Sequence, residues 1–106
     1  MHYRMFAPFF ILVVLAWGAP KEGDAEKGKP LFAQQCVTCH NAANNEKKLG
    51  PGLKGLFKMD KLANGKKATE QTIRVQIDNG GNGMPPFKDL LSDREKDDLI
   101  AYLKTL

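Results

Sequence analysis

Cys36, Val37, Thr38, Cys39 and His40 place two thiols and an imidazole within one short stretch, and the chain has no other cysteine. Cys-x-x-Cys-His is the pattern of covalent c-type haem attachment. Each residue has its own chemical task. Two thiols on one local turn can form thioethers to the two vinyl groups of one porphyrin, and the adjoining imidazole falls beneath the iron as proximal ligand. Competing readings fail on inventory. A closed zinc site takes four Cys/His ligands, and the only other histidine, His2, lies in an apolar leader. A thioredoxin-like pair needs a βαβ context, and nothing before Cys36 alternates as a strand does. A structural disulfide has no need of the histidine. Cys36 and Cys39 are therefore assigned to covalent haem binding and His40 to the iron.

A haem held in this way has an open sixth position, and its occupant separates electron transfer from ligand chemistry. The candidates outside the leader are Met59 and Met84. Met59 lies in Leu56-Phe57-Lys58-Met59-Asp60, with apolar spacing to Leu56 and Leu62 that suits packing. Met84 follows Gly80-Gly81-Asn82-Gly83 and precedes Pro85-Pro86-Phe87. The two prolines stiffen the backbone and reduce the entropy lost in holding one side chain toward a metal. Met84 is the expected ligand. Thioether sulfur is soft and favours Fe(II), raising the reduction potential.

The elements that must position these residues read as helices and long loops. Asp24 can cap a first helix running through Leu31 and Phe32 toward Cys36, with Gly28 and Phe32 on one face. Pro30 is awkward inside it and suggests a later start. From Asn41 to Lys67 no period is sustained, and Gly50, Pro51, Gly52, Gly55 and Gly65 mark a long loop with a turn of helix around Leu56 to Leu62. Thr69 begins a second helix that carries Ile73 and Ile77 and stops at Asn79-Gly80-Gly81. Ser92-x-x-Glu95 is a capping box opening a third, with Leu99, Tyr102, Leu103 and Leu106 as its apolar stripe. No segment alternates as a strand and no internal repeat occurs. The expected class is all-α, with three or more helices and long loops.

Met1 to Arg4, an uncharged run from Met5 to Pro20 and the exit Ala16-Trp17-Gly18 have the layout of a signal peptide over residues 1–18, cut before Ala19. The alternative is an uncleaved anchor, although the uncharged run is short of the roughly 20 residues that span a bilayer. Export to the periplasm is expected, with membrane tethering only if the leader is retained. Residues 19–106 then form one domain. The whole chain carries a formal charge of +4, and loss of Arg4 with the leader lowers it by one. So mild a balance does not argue for nucleic acid. A domain this small has a marginal apolar core, and a buried porphyrin would enlarge it. Lys47, Lys48, Lys54, Lys58, Lys61, Lys66 and Lys67 crowd the middle as a candidate docking surface. Asp89, Asp93, Glu95, Asp97 and Asp98 crowd the end and read as a solvated face.

Taken together, Gly28 with Phe32, Cys36 to His40, Gly50-Pro51-Gly52-Leu53, Gly83-Met84-Pro85-Pro86-Phe87 and Tyr102-Leu103 closely resemble the class I c-type cytochromes. The resemblance covers the chain after the leader. It implies the small cytochrome c fold wrapped around one covalent haem c, with first and last helices crossing near Gly28, Phe32 and Tyr102. It further implies that the Pro51 carbonyl accepts a hydrogen bond from His40 and that Met84 completes the iron. The tryptophan and tyrosine donors that many relatives direct to a haem propionate are missing after the leader, apart from Tyr102. The implied function is a monomeric periplasmic one-electron carrier between redox protein partners, not an enzyme. A haem enzyme or gas sensor, the rival, needs an open sixth site and distal acid-base groups. Beyond the leader His40 is the sole histidine, and Arg74 and Arg94 are distant from Met84 in sequence.

Overall fold

The computed structural model describes residues 3, 8, 9, 11 and 22–106; the leader reading of residues 1–18 and the cut before Ala19 lie outside the described residues, apart from those four isolated positions. Three α-helices follow in chain order: α1 (Ala25–Gln35), α2 (Glu70–Asn79) and α3 (Asp93–Leu103), with one turn of 3-10 helix at Leu56–Lys58. Among the described residues there is no strand, only an isolated bridge between Gly81 and Met84. The all-α expectation holds.

Each helix begins on a side-chain cap. Asp24 accepts a hydrogen bond from the Glu26 amide at 2.9 Å, and its own amide donates to Asp98 Oδ1 at 2.8 Å. The start of α1 is thus tied to α3 as well as capped. The helix begins at Ala25 with Pro30 inside it, earlier than the proline alone suggests. Pro30 is exposed, and the cap and the packing of α1 on α3 offset the lost hydrogen bond. α3 opens on the Ser92/Glu95 box, with Glu95 N to Ser92 Oγ at 3.1 Å and Ser92 N to Glu95 Oε1 at 3.0 Å. α2 uses the same reciprocal arrangement with threonine in the third position: Thr72 N donates to Thr69 Oγ1 at 3.1 Å and Thr69 N to Thr72 Oγ1 at 2.9 Å.

α1 crosses α3 where Gly28 removes the obstacle of a side chain. A Cβ there would run into the Asp98 carbonyl oxygen and lie 2.8 Å from Tyr102 Cβ. One turn on, Phe32 and Tyr102 pack with ring centroids 5.4 Å apart and planes tilted by 53°. Leu99 is the most deeply buried side chain, and Phe32, Ile73, Ile77, Phe87, Ile100 and Leu103 join it in one apolar cluster. Of the expected stripe on α3, Leu99 and Leu103 are buried, Tyr102 is half-buried, and Leu106 lies beyond the helix end.

The acidic end is not a solvated face throughout. Asp98 is buried, and Asp97 pairs with Arg74 on α2. Lys96 is 4% exposed and reaches Asp78 Oδ1 at 2.7 Å. Lys104 pairs with Glu70 at the start of α2. These charges fasten α3 to its neighbours.

Candidate haem site

The Cys36–His40 segment is the unwound continuation of α1. Cys36 caps the helix with its amide on Phe32 O at 2.8 Å, and the amides of Cys39 and His40 turn back to Cys36 O at 3.1 and 3.0 Å. Both thiols therefore come from one tight turn. They are half-buried and not joined as a disulfide. Burial, and after it the neighbouring Cys39, pushes the Cys36 thiol up to about 11. It is an S–H group at neutral pH, poorly suited to redox exchange, which proceeds through the thiolate. No group of three or more His, Cys, Asp or Glu side chains among the described residues could hold a metal ion.

His40 Nδ1 lies 2.7 Å from the Pro51 carbonyl oxygen. A carbonyl only accepts, so Nδ1 carries the proton and the Nε2 lone pair is left for a metal. The bond also fixes the ring plane. The loop after His40 presents that carbonyl through a short network: Gly50 N to Cys39 O at 2.8 Å, Leu53 N to Asn41 O at 2.8 Å, and Asn41 Nδ2 to Glu46 O at 2.9 Å. Gly50 passes directly over the imidazole. A Cβ at this position would be 2.5 Å from His40 Cε1, so a side chain there would displace the ring.

Met84 sits on the loop between α2 and α3, half-buried and packed against the apolar cluster that Cys36 also borders. Its backbone exchanges hydrogen bonds with Gly81 at 2.9 and 3.0 Å, and the loop returns to α2 through Phe87 N to Ile77 O at 2.9 Å. Gln76 on α2 donates through Nε2 to Gly80 O at 3.1 Å and lies 3.6 Å from Met84 Sδ. Met59 is also half-buried, with its amide on Leu56 O at 3.3 Å. An open cavity of about 390 Å³ runs along the outer face of α2 beside Gln76, with Asn64 and Lys66 on its other wall.

The structure thus brings Cys36, Cys39 and His40 onto one turn and places Met84 on another loop of the same core. Two reduced thiols, an imidazole with its outer nitrogen occupied and a thioether beside apolar side chains fit a covalent haem. Sequence reading missed Gln76, whose link to Met84 crosses a glycine turn, and Lys96, whose burial no local pattern signals.

The family profile described as "Cytochrome C oxidase, cbb3-type, subunit III" matches residues 23–103. The chain is 39% identical over 80 residues to a cytochrome c6 of Synechocystis sp., a match covering 76% of this chain and 63% of that protein, less than two thirds of its length. It is 33% identical over 97 residues to a cytochrome c6 of Picosynechococcus sp., covering 88% of this chain and 83% of the relative. Among solved structures it is similar to cytochrome c6 of the diatom Phaeodactylum tricornutum, with a TM-score of 0.63, 32% identity, and 78% and 93% of the two chains covered.

Proposed function

Because the chain belongs to the class I c-type cytochromes, small proteins with one covalently bound haem c, we propose that it is a one-electron carrier rather than an enzyme, with His40 and Met84 as axial ligands. Its expected place of work is the periplasm, which the leader pattern of residues 1–18 supports.

The observation that carries this reading is the His40 Nδ1–H···O=C Pro51 bond at 2.7 Å beside two unpaired thiols. When bound, the haem supplies a one-electron iron couple whose potential follows its axial ligands and the polarity around it. Cys36 and Cys39 anchor the group on the turn after α1. His40 presents Nε2 in one tautomer. Met84 offers a soft sulfur from a loop fastened at both ends. Leu56, Ile73, Ile77 and Phe87 are buried and Leu53 half-buried. They exclude water, which disfavours the more highly charged oxidised state.

Absorbance spectra of the oxidised and reduced holoprotein test the reading. A weak red band from sulfur-to-iron coordination is expected in the oxidised form, together with resistance to carbon monoxide in the reduced form. Free carbon monoxide binding at neutral pH would turn the assignment toward a sensor or enzyme.

A further inference from the structure

We propose that Lys96 is a positioning residue for Met84: its buried ammonium on α3 clamps together the two feet of the loop that carries the sulfur. The inference rests on the reading of Met84 as an iron ligand. The feet of the loop are Asp78, one residue before the end of α2, and Lys88. Their backbones meet through Lys88 N to Asp78 O at 3.2 Å, next to Phe87 N to Ile77 O at 2.9 Å. Lys96 reaches both feet from a third element. Its Nζ donates to the Lys88 carbonyl at 3.0 Å and lies 2.7 Å from Asp78 Oδ1. The exposed Asp93 carboxylate stands at 3.8 Å, beyond hydrogen-bond distance. The ammonium therefore makes one hydrogen bond, to Lys88, and one close ion pair, to Asp78, whose buried Oδ1 has no hydrogen-bond partner.

Stability alone gives poor reason for such an arrangement. Lysine is almost never buried unless paired, and an apolar side chain at 96 would fill the space without removing a charge from water, often with no loss of stability. A charged hydrogen bond adds direction, which apolar packing lacks. Phe87 and Leu91 are buried and set how deeply the loop is seated. The ammonium fixes where its two strands stand relative to α3. On the α2 side, Gln76 and Gly81 hold Met84 from within the same half of the loop. Lys96 is the polar tie from α3.

Amide hydrogen exchange and carbon monoxide binding, measured on holoprotein, test the clamp. In Lys96→Met the Phe87 and Lys88 amides should exchange at least about tenfold faster while those of Leu99 and Leu103 are unchanged, because only the loop opens. The sulfur-to-iron band should weaken on warming, and carbon monoxide should bind the reduced protein about tenfold faster, in step with the open population. The double variant Lys96→Met/Asp78→Leu removes the orphaned carboxylate. It should recover thermal stability yet keep the fast loop exchange and fast carbon monoxide binding. Where Lys96→Met yields no holoprotein, the double variant carries the same expectation. The clamp is overturned if loop exchange and carbon monoxide binding stay at wild-type rates in these variants. It is equally overturned if all amides accelerate together and the double variant restores them. A wild type lacking the sulfur band overturns the Met84 reading and the clamp with it, whereas a wild type with the band and variants that exchange like it overturn the clamp alone.

Discussion

At the scale of single residues, the assignment turns on which sulfur meets the iron. Met84→Ala should open the sixth position, abolish the sulfur-to-iron band and lower the reduction potential, because the ligand that favours Fe(II) is gone. Carbon monoxide should then bind the reduced variant readily. Met59 packs against the core at the end of a 3-10 turn, so Met59→Leu should cost under about 1.5 kcal/mol in chemical denaturation and leave the spectrum unchanged. The reverse pattern, with the band lost in Met59→Leu and kept in Met84→Ala, would exchange their roles. The turn of Cys36, Cys39 and His40 was legible because its chemistry needs neighbours in sequence. The Pro51 carbonyl followed from resemblance and stands 2.7 Å from the imidazole. Gln76 and Lys96 were not legible. A glutamine on a helix carries no signal of the sulfur eight residues on, and a lysine among acids on an amphipathic helix reads as solvated until the fold folds it inward.

At the scale of elements, glycine at the crossing of α1 and α3 sets how closely the helices approach. Gly28→Ala puts a methyl group against the Asp98 carbonyl oxygen and near Tyr102 Cβ. The helices must separate, and a loss of about 1–3 kcal/mol is expected, although alanine is the better helix former. A stabilised variant in urea denaturation would show that the crossing relaxes without cost. Ser92→Ala removes the acceptor for the Glu95 amide and should cost about 1 kcal/mol. The helices themselves were readable from caps and periodicity. Asp24 and Ser92 cap α1 and α3, as each residue type suggests in the sequence, and α2 follows Thr69. The cap of α2 was only half visible, since Thr72 stands where a capping box ordinarily has Glu or Gln. The start of α1 before Pro30 was obscured because a tertiary tie, Asp24 to Asp98, outweighs a local preference.

At the scale of the whole molecule, the ion pairs decide where charge remains for a partner. Asp78, Asp97 and Glu70 are engaged with Lys96, Arg74 and Lys104 in fastening α3, and Asp98 pairs with Arg94 within it. The segment from Asn41 to Ala68 is different, with seven lysines against two acids, Glu46 and Asp60. All seven lysines are exposed, and among the described residues none forms an ion pair with a carboxylate. The same segment supplies the Pro51 carbonyl to His40, and Lys48 Nζ donates to the Val37 carbonyl within the Cys36–His40 turn at 3.1 Å, so part of this positive charge stands beside the proposed redox centre. An acidic partner should be steered there. Its bimolecular electron-transfer rate should fall as the Debye length shrinks from about 30 Å at 0.01 M salt to about 10 Å at 0.1 M. Lys58→Glu/Lys61→Glu should slow the low-salt reaction and flatten its salt dependence while leaving the absorbance spectrum unchanged, because steering acts on encounter and not on the iron. A rate in the unaltered protein that is indifferent to salt, or that rises with it, would reject this face and leave the haem assignment standing.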